Sequence, residues 1–163
     1  MGIIAVIQAR ISSTRLPVKV LKKIEGKTIL EHVINRVKAA KKLDDVIVAT
    51  TVKKEDLEIV KLCANLGISI FCGSEDDVLD RYYQTARVFK ANHIVRITAD
   101  CPLIDPQVID KVIELCYQKK ADYASNTMIE TFPDGLDTEV FTFNTLKITW
   151  KNAKLSSERE HVT

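Results

Sequence analysis

Two stretches of this sequence carry residue types at spacings that could do chemistry. "QARISSTRLPVKVL", Gln8 to Leu21, places Arg10, Arg15 and Lys19 among Ser12, Ser13 and Thr14, directly after the apolar run Gly2 to Ile7. Two guanidiniums and an ammonium suit a polyphosphate, because guanidinium offers paired donors to phosphate oxygens and lysine adds a point charge. The alternative is a solvated surface loop, which is what most charged loops are. Pro17 limits how far the segment can flex between Arg15 and Lys19. The second stretch, "RITADCP", sets Asp100 just past an apolar run ending at Ile97. There a lone carboxylate either holds a divalent metal together with ligand phosphates, for which Mg2+ is the suitable ion, or caps the turn at Pro102.

Whether these stretches meet depends on the elements that carry them. Continuous β-branched runs at Ile3 to Ile7, Val46 to Thr51, Ile68 to Phe71 and Ile94 to Ile97 read as strands buried on both faces. Helical patterns lie between them. Thr28 with Glu31 forms a capping box ahead of Leu30, Val33, Ile34 and Val37. A second helix starts near Lys54 and stops at Gly67, and a third begins after Ser74 with Leu79, Tyr82, Tyr83, Ala86 and Phe89 at core spacing. The fourth has Asp105 as N-cap and Pro106 at its first position. Four strand–helix alternations predict an α/β fold, a Rossmann-like three-layer sandwich with a mostly parallel sheet. In such sheets ligands bind outside the carboxyl ends of the strands, so "QARISSTR" and "TADCP" fall at one edge. A turn at Pro133 to Gly135 and a strand at Glu139 to Thr142 follow in a less regular region.

Other classes are excluded. Five glycines, none two apart, rule out the dinucleotide fingerprint, and "GKT" at Gly26 lacks the earlier glycine of a P-loop, so it reads as a tight turn into a helix cap. Basic and acidic residues number 24 and 22, a formal charge of +2, so no global basic field marks a nucleic-acid binder. No apolar run is long enough for a membrane helix and the start lacks a signal peptide's cationic region, which predicts a cytoplasmic protein without membrane attachment. Cys63, Cys72, Cys101 and Cys116 form no C-x-x-C pair and read as reduced, mostly buried thiols.

The opening stretch resembles the Q-A-R-x-x-S-x-R-L-P-x-K-x-L start of cytidylyltransferases that activate acidic sugars, the relatives of acylneuraminate and 3-deoxy-manno-octulosonate cytidylyltransferases. "GSEDDVLDRYY", "RITADCPLIDP", "PDGLDTEVF" and "SEREHVT" are most similar to the SpsF branch, named for spore coat polysaccharide biosynthesis, and the resemblance spans the whole chain. It implies a nucleotide-diphospho-sugar transferase fold over a single domain, 1–163, that binds CTP and Mg2+ and passes CMP to a sugar with release of pyrophosphate. By the same resemblance Arg10 and Lys19 would hold the triphosphate, Gln8, Ala9, Ser13 and Arg15 would shape the nucleotide loop, and Thr50, Thr51 and Ser74 would surround the base. Asp100 would bind the metal.

Asp134, Asp137 and Glu139 in "PDGLDTE" would face the sugar or, through Asp137, a second magnesium; an exposed hairpin tip is the alternative. Arg159 and His161 read otherwise as a solvated helix start. Such families continue past "EREHVT", so a chain truncated at its C-terminus is expected, with a further metal-binding aspartate in the later segment; a homodimer is also implied. Two other classes stay open. A nucleotide-sugar-dependent glycosyltransferase would usually carry a D-x-D motif, which this sequence lacks. A nucleotide-binding module without activity is the other.

Overall fold

The computed structural model of the chain describes residues 2–12, 16–129 and 132–162. Ile3–Gln8 (β1) is the central strand: residues 4 to 7 are buried, and their side chains alternate between two faces that are both covered. β1 pairs in parallel with Asp45–Thr51 (β4) on one side and His93–Thr98 (β6) on the other, and Ser69–Gly73 (β5) pairs with β4. The six-stranded order is β5-β4-β1-β6-β8-β7, completed by Glu139–Thr142 (β8), antiparallel to β6, and Tyr123–Ser125 (β7), antiparallel to β8. The predicted α/β fold with a mostly parallel sheet is therefore what forms. One expectation is corrected: β5 is not buried on both faces, because it lies at the sheet edge, and Cys72 on it is exposed.

Helices Ile29–Lys38 (α1), Leu57–Leu66 (α2) and Pro106–Gln118 (α4) cover the face that holds Ala5, Ile7, Val48, Val95 and Ile97. Val78–Val88 (α3), Phe143–Asn152 (α5) and Ser156–His161 (α6) lie on the other face, where Leu79, Tyr82 and Leu146 meet Ile4, Val6 and Ile94. Leu30, Ile34 and Leu79 are at most 1% exposed, so truncating any of them to alanine would cost about 2–5 kcal/mol.

The local signals are built as the sequence predicts. Thr28 Oγ1 accepts from the Glu31 amide at 3.1 Å, and Asp105 Oδ1 accepts from the Gln107 amide at 2.7 Å with Pro106 at the first turn. "GKT" is a turn: Glu25 and Gly26, at φ 48° and 79°, join the two-residue strands Lys23–Ile24 (β2) and Lys27–Thr28 (β3), the type I′ geometry of a tight hairpin. A 3₁₀ turn, Lys54–Asp56, leads into α2, and Gly67 ends that helix at φ 64°.

Candidate functional site

The carboxyl edge of the sheet gathers the chemistry. Gln8 of β1 pairs in register with Thr98 of β6, so the chain leaves that edge side by side toward Arg10 and toward Asp100. The Ala9 amide donates to the Ala49 carbonyl and the Ala99 amide to the Gln8 carbonyl, both at 3.1 Å, which holds both exits square to the sheet. From the 3₁₀ turn Lys19–Leu21, Lys19 Nζ reaches back to Asp100 Oδ2 at 3.0 Å. Together with Leu16, Cys101, Pro102, Leu103, Asp134 and Gly135 they line an open cleft of ≈ 580 Å³. Arg10 is exposed and has no hydrogen-bond or ion-pair partner among the described residues. Ser13 and Arg15 lie outside the described residues.

Burial pushes the Asp100 carboxyl up, but hydrogen bonds from Lys19 and Thr98 and the Lys19 charge outweigh it and hold the group below the usual carboxylate range. Cys101 is pushed up, first by burial and then by the charges of Asp100 and Asp137, and its thiol donates to Asp100 Oδ1 at 3.8 Å. Among the described residues no three His, Cys, Asp or Glu side chains gather as a metal cage. One or two carboxylate oxygens at a cleft edge fit Mg2+, which takes its remaining ligands from phosphate and water.

The three acidic residues of "PDGLDTE" part company. Asp134 lines the cleft beside Lys19 and Asp100, and the turn that presents it is closed by the Leu136 amide on the Pro133 carbonyl at 3.4 Å, with Gly135 at φ 89°. Glu139 instead opens β8 opposite Arg96, whose Nη1 donates to both carboxylate oxygens at 3.0 Å. Ladder alternation turns it to the α3 face with Phe141, away from the Asp134 cleft, so its assignment beside Asp134 is corrected.

Thr50 and Thr51 are corrected likewise. They are 0% and 2% exposed, because β4 lies inside the sheet, and the Thr51 hydroxyl is spent on Asp56. Ser74 Oγ accepts from the Asp77 amide at 3.1 Å, so its hydroxyl serves the start of α3. In the acidic stretch ahead of that helix, Asp77 is the N-cap, accepting from the Asp80 amide at 2.8 Å, whereas Glu75 accepts from Ser12 at 3.0 Å and pairs with Lys53.

A second cleft, ≈ 170 Å³, lies on the α3 side of the same edge, lined by Gln8, Ala9, Arg10, Arg81, Arg96 and His161 among others. Among the described residues, Gln8 Oε1, Arg81 Nε and Arg96 Nε are buried there without hydrogen-bond partners, one acceptor and two donors that the fold leaves unsatisfied. Burial lowers the pKa of Arg81, which is 2% exposed. Sequence reasoning passed over Arg81 and Arg96. The usable signal was that Arg81 shares a helical stripe with buried Val78 and Thr85, a charge at a core position. Arg159 is no solvated residue either: Nε meets Asp77 Oδ2 at 2.6 Å, and Nη1 donates to the Trp150 and Ala153 carbonyls at 3.2 and 3.1 Å. That docking brings His161 to the cleft. A larger apolar groove of ≈ 870 Å³ between α5 and α6 touches neither Arg10, Lys19 nor Asp100.

Comparison with known proteins gives the family. A family model described as "Cytidylyltransferase" matches residues 4–163. An uncharacterised protein of Methanocaldococcus jannaschii is 51% identical over 163 residues, which is 100% of this chain and 66% of that protein. The spore coat polysaccharide biosynthesis protein SpsF of Bacillus subtilis is 35% identical over 166 residues, 99% of this chain and 68% of that one. A solved cytidylyltransferase from Leptospira borgpetersenii serovar Hardjo-bovis superposes with a TM-score of 0.94 at 36% identity, covering 99% of this chain and 69% of that chain. The chain thus spans about two thirds of the length of the relatives it matches.

Proposed function

The chain belongs to the cytidylyltransferase family, and from that premise we propose that it transfers CMP from CTP to a sugar hydroxyl and releases pyrophosphate. The observation that carries the proposal is the placement of Lys19, Asp100 and Arg10 at one sheet edge, in a chain whose residues 4–163 match the family. In this reaction the sugar hydroxyl attacks the α-phosphorus and the bond to the bridging oxygen breaks, so negative charge builds on the departing pyrophosphate. Arg10 and Lys19 offset that charge, with Ser13 and Arg15 completing the loop and Gln8 and Ala9 flooring the nucleotide site. Asp100, with Asp137 as the neighbouring carboxylate, would hold Mg2+, which when bound polarises the phosphate oxygens. Lys19 releases Asp100 as it turns to the phosphates. Ser74 borders the nucleotide through its hydroxyl, which accepts from the Asp77 amide and keeps its proton to donate, while its carbonyl is held by Arg81.

The sugar is read as acidic. Three carboxylates in the acceptor segment would repel such a ligand, but Glu139 is neutralised by Arg96, and the second cleft adds Arg10 and the Arg81 guanidinium. Asp134 faces the acceptor from the other side. The name of the B. subtilis relative supports a role in surface or spore coat polysaccharide synthesis. No helix among the described residues is long and apolar enough to cross a membrane, and the reading adds a homodimer at work in the cytoplasm without nucleic acid.

Pyrophosphate release from CTP, assayed with Mg2+ against a panel of neutral and acidic sugars, tests this. Release that depends on an acidic sugar and fails with UTP supports it. CTP binding with no sugar-dependent release would sink the transferase reading.

A further inference from the structure

Asp56 is 1% exposed, and both of its carboxylate oxygens are engaged. Oδ1 accepts from the backbone amide of Ile11 at 2.7 Å, across 45 residues of sequence, and Oδ2 accepts from the Thr51 hydroxyl. The segment that carries Asp56 is closed on itself: the Lys53 amide donates to Thr51 Oγ1 and the Asp56 amide to the Lys53 carbonyl, both at 3.1 Å. Among the described residues, the long-range hydrogen bond made by Asp56 therefore goes to the residue directly after Arg10. Burying a carboxylate is costly unless its oxygens are matched by donors, and here one donor is a loop amide that belongs to no ladder. The buried Arg81 guanidinium supplies opposing charge nearby.

The first loop has no glycine, so it presents cations through side chains, and among the described residues Arg10 makes no hydrogen bond or ion pair that would aim it, though it feels the charge of Glu75. Its direction is set by the backbone on either side: Ala9 bonded to Ala49, and Ile11 bonded to Asp56. We propose that Asp56 is a positioning residue, which grips the Ile11 amide from beneath the end of β4, fixes the backbone that carries Arg10, and so sets nucleotide affinity without touching the nucleotide. This role rests on the cytidylyltransferase reading above.

The test uses the whole chain with Asp56→Ala and Asp56→Asn, reading the dissociation constant for CTP with Mg2+ and amide hydrogen exchange at Ile11. Asp56→Ala should weaken CTP by about tenfold, the scale of one well-made hydrogen bond, and speed Ile11 exchange by at least about tenfold. The amides of Ile47 and Val48 in β4 should keep their protection, which separates loss of grip from general destabilisation. Asp56→Asn keeps an acceptor for Ile11 and should recover most of the affinity. A folded Asp56→Ala protein that binds CTP as tightly as the unsubstituted chain overturns the positioning role and leaves the functional reading intact. Should the alanine variant fail to fold, an asparagine variant with Ile11 still protected but CTP binding lost overturns it as well, because the effect would lie in charge and not in grip. No CTP binding by the unsubstituted chain overturns the functional reading, and the positioning role with it.

Discussion

Lys19 Nζ stands 3.0 Å from Asp100 Oδ2, so the cation expected to grip phosphate and the carboxylate expected to grip metal grip each other. The two side chains are 35% and 46% exposed, and an ion pair that open contributes about 0–1 kcal/mol. It can be opened at small cost, while it keeps both groups at the edge where a nucleotide would arrive.

Substitution of Lys19 by alanine should therefore separate function from stability. Turnover should fall on the order of 10²-fold, because charge on the leaving pyrophosphate loses a donor, while the unfolding midpoint barely moves. Steady-state kinetics beside thermal unfolding checks both halves. Unchanged turnover would remove Lys19 from the chemistry.

Asp100 gives a pH prediction with a definite sign. Its folded pKa lies below the usual carboxylate range, so it contributes stability that is present above the unfolded value and is lost as pH falls through the folded one. Urea unfolding followed from about pH 6 down to about pH 3 should show the parent protein losing stability more steeply than Asp100→Asn below about pH 4. The amplitude should be small, since the group is half exposed. Parallel profiles would contradict the assignment. In the same variant, CTP with Mg2+ should lose most of the stabilisation it gives the parent, which is ~2.7 kcal/mol at a hundredfold excess over the dissociation constant.

Arg159 is a staple between helices. Replacing it by alanine removes the bond to Asp77 and those to the Trp150 and Ala153 carbonyls, and should cost about 1–3 kcal/mol in urea unfolding. Lysine should rescue little, because a point charge cannot reproduce the fork. A loss below about 0.5 kcal/mol would mean that α6 docks without it.

Thiol chemistry should follow burial. Cys63 is pushed up to about 12 by desolvation, and Cys116 is pushed up by the same cause, so both should resist alkylation at about pH 8 until the chain unfolds. Exposed Cys72 should react first. Asp100→Asn should speed the labelling of Cys101, because it removes one of the charges that disfavour the thiolate. Equal rates at Cys72 and Cys63 in the folded protein would contradict this burial pattern.

The parallel core was readable because its strands are continuous β-branched runs and its helices carry caps, as Thr28 and Asp105 show. Lys19 and Asp100 were readable as a pair because topology places their segments at one edge. Thr50 and Thr51 misled because a strand's last residues look the same in sequence whether they face a cleft or the interior. Asp56 and Glu75, which hold the first loop at Ile11 and Ser12, gave no warning. Their partners are 45 and 63 residues away, and only the folded chain brings them together. Arg159 was read as solvated for the same reason.

The excursion between β7 and β8 leaves from Ser125 and returns at Glu139, two residues paired across the ladder, and it is cross-tied inside by Asn126 to Leu136 and Thr138. Its ends are thus clamped by the sheet whatever lies between them, and doubling the length of a loop closed in this way costs only about 0.6 kcal/mol. Asp134 rides on that excursion at the lip of the cleft. On the proposed reading, a different acceptor needs only a rewrite of this tethered insert, while Arg10 and Asp100 stay just past β1 and β6, whose pairing such a change leaves alone.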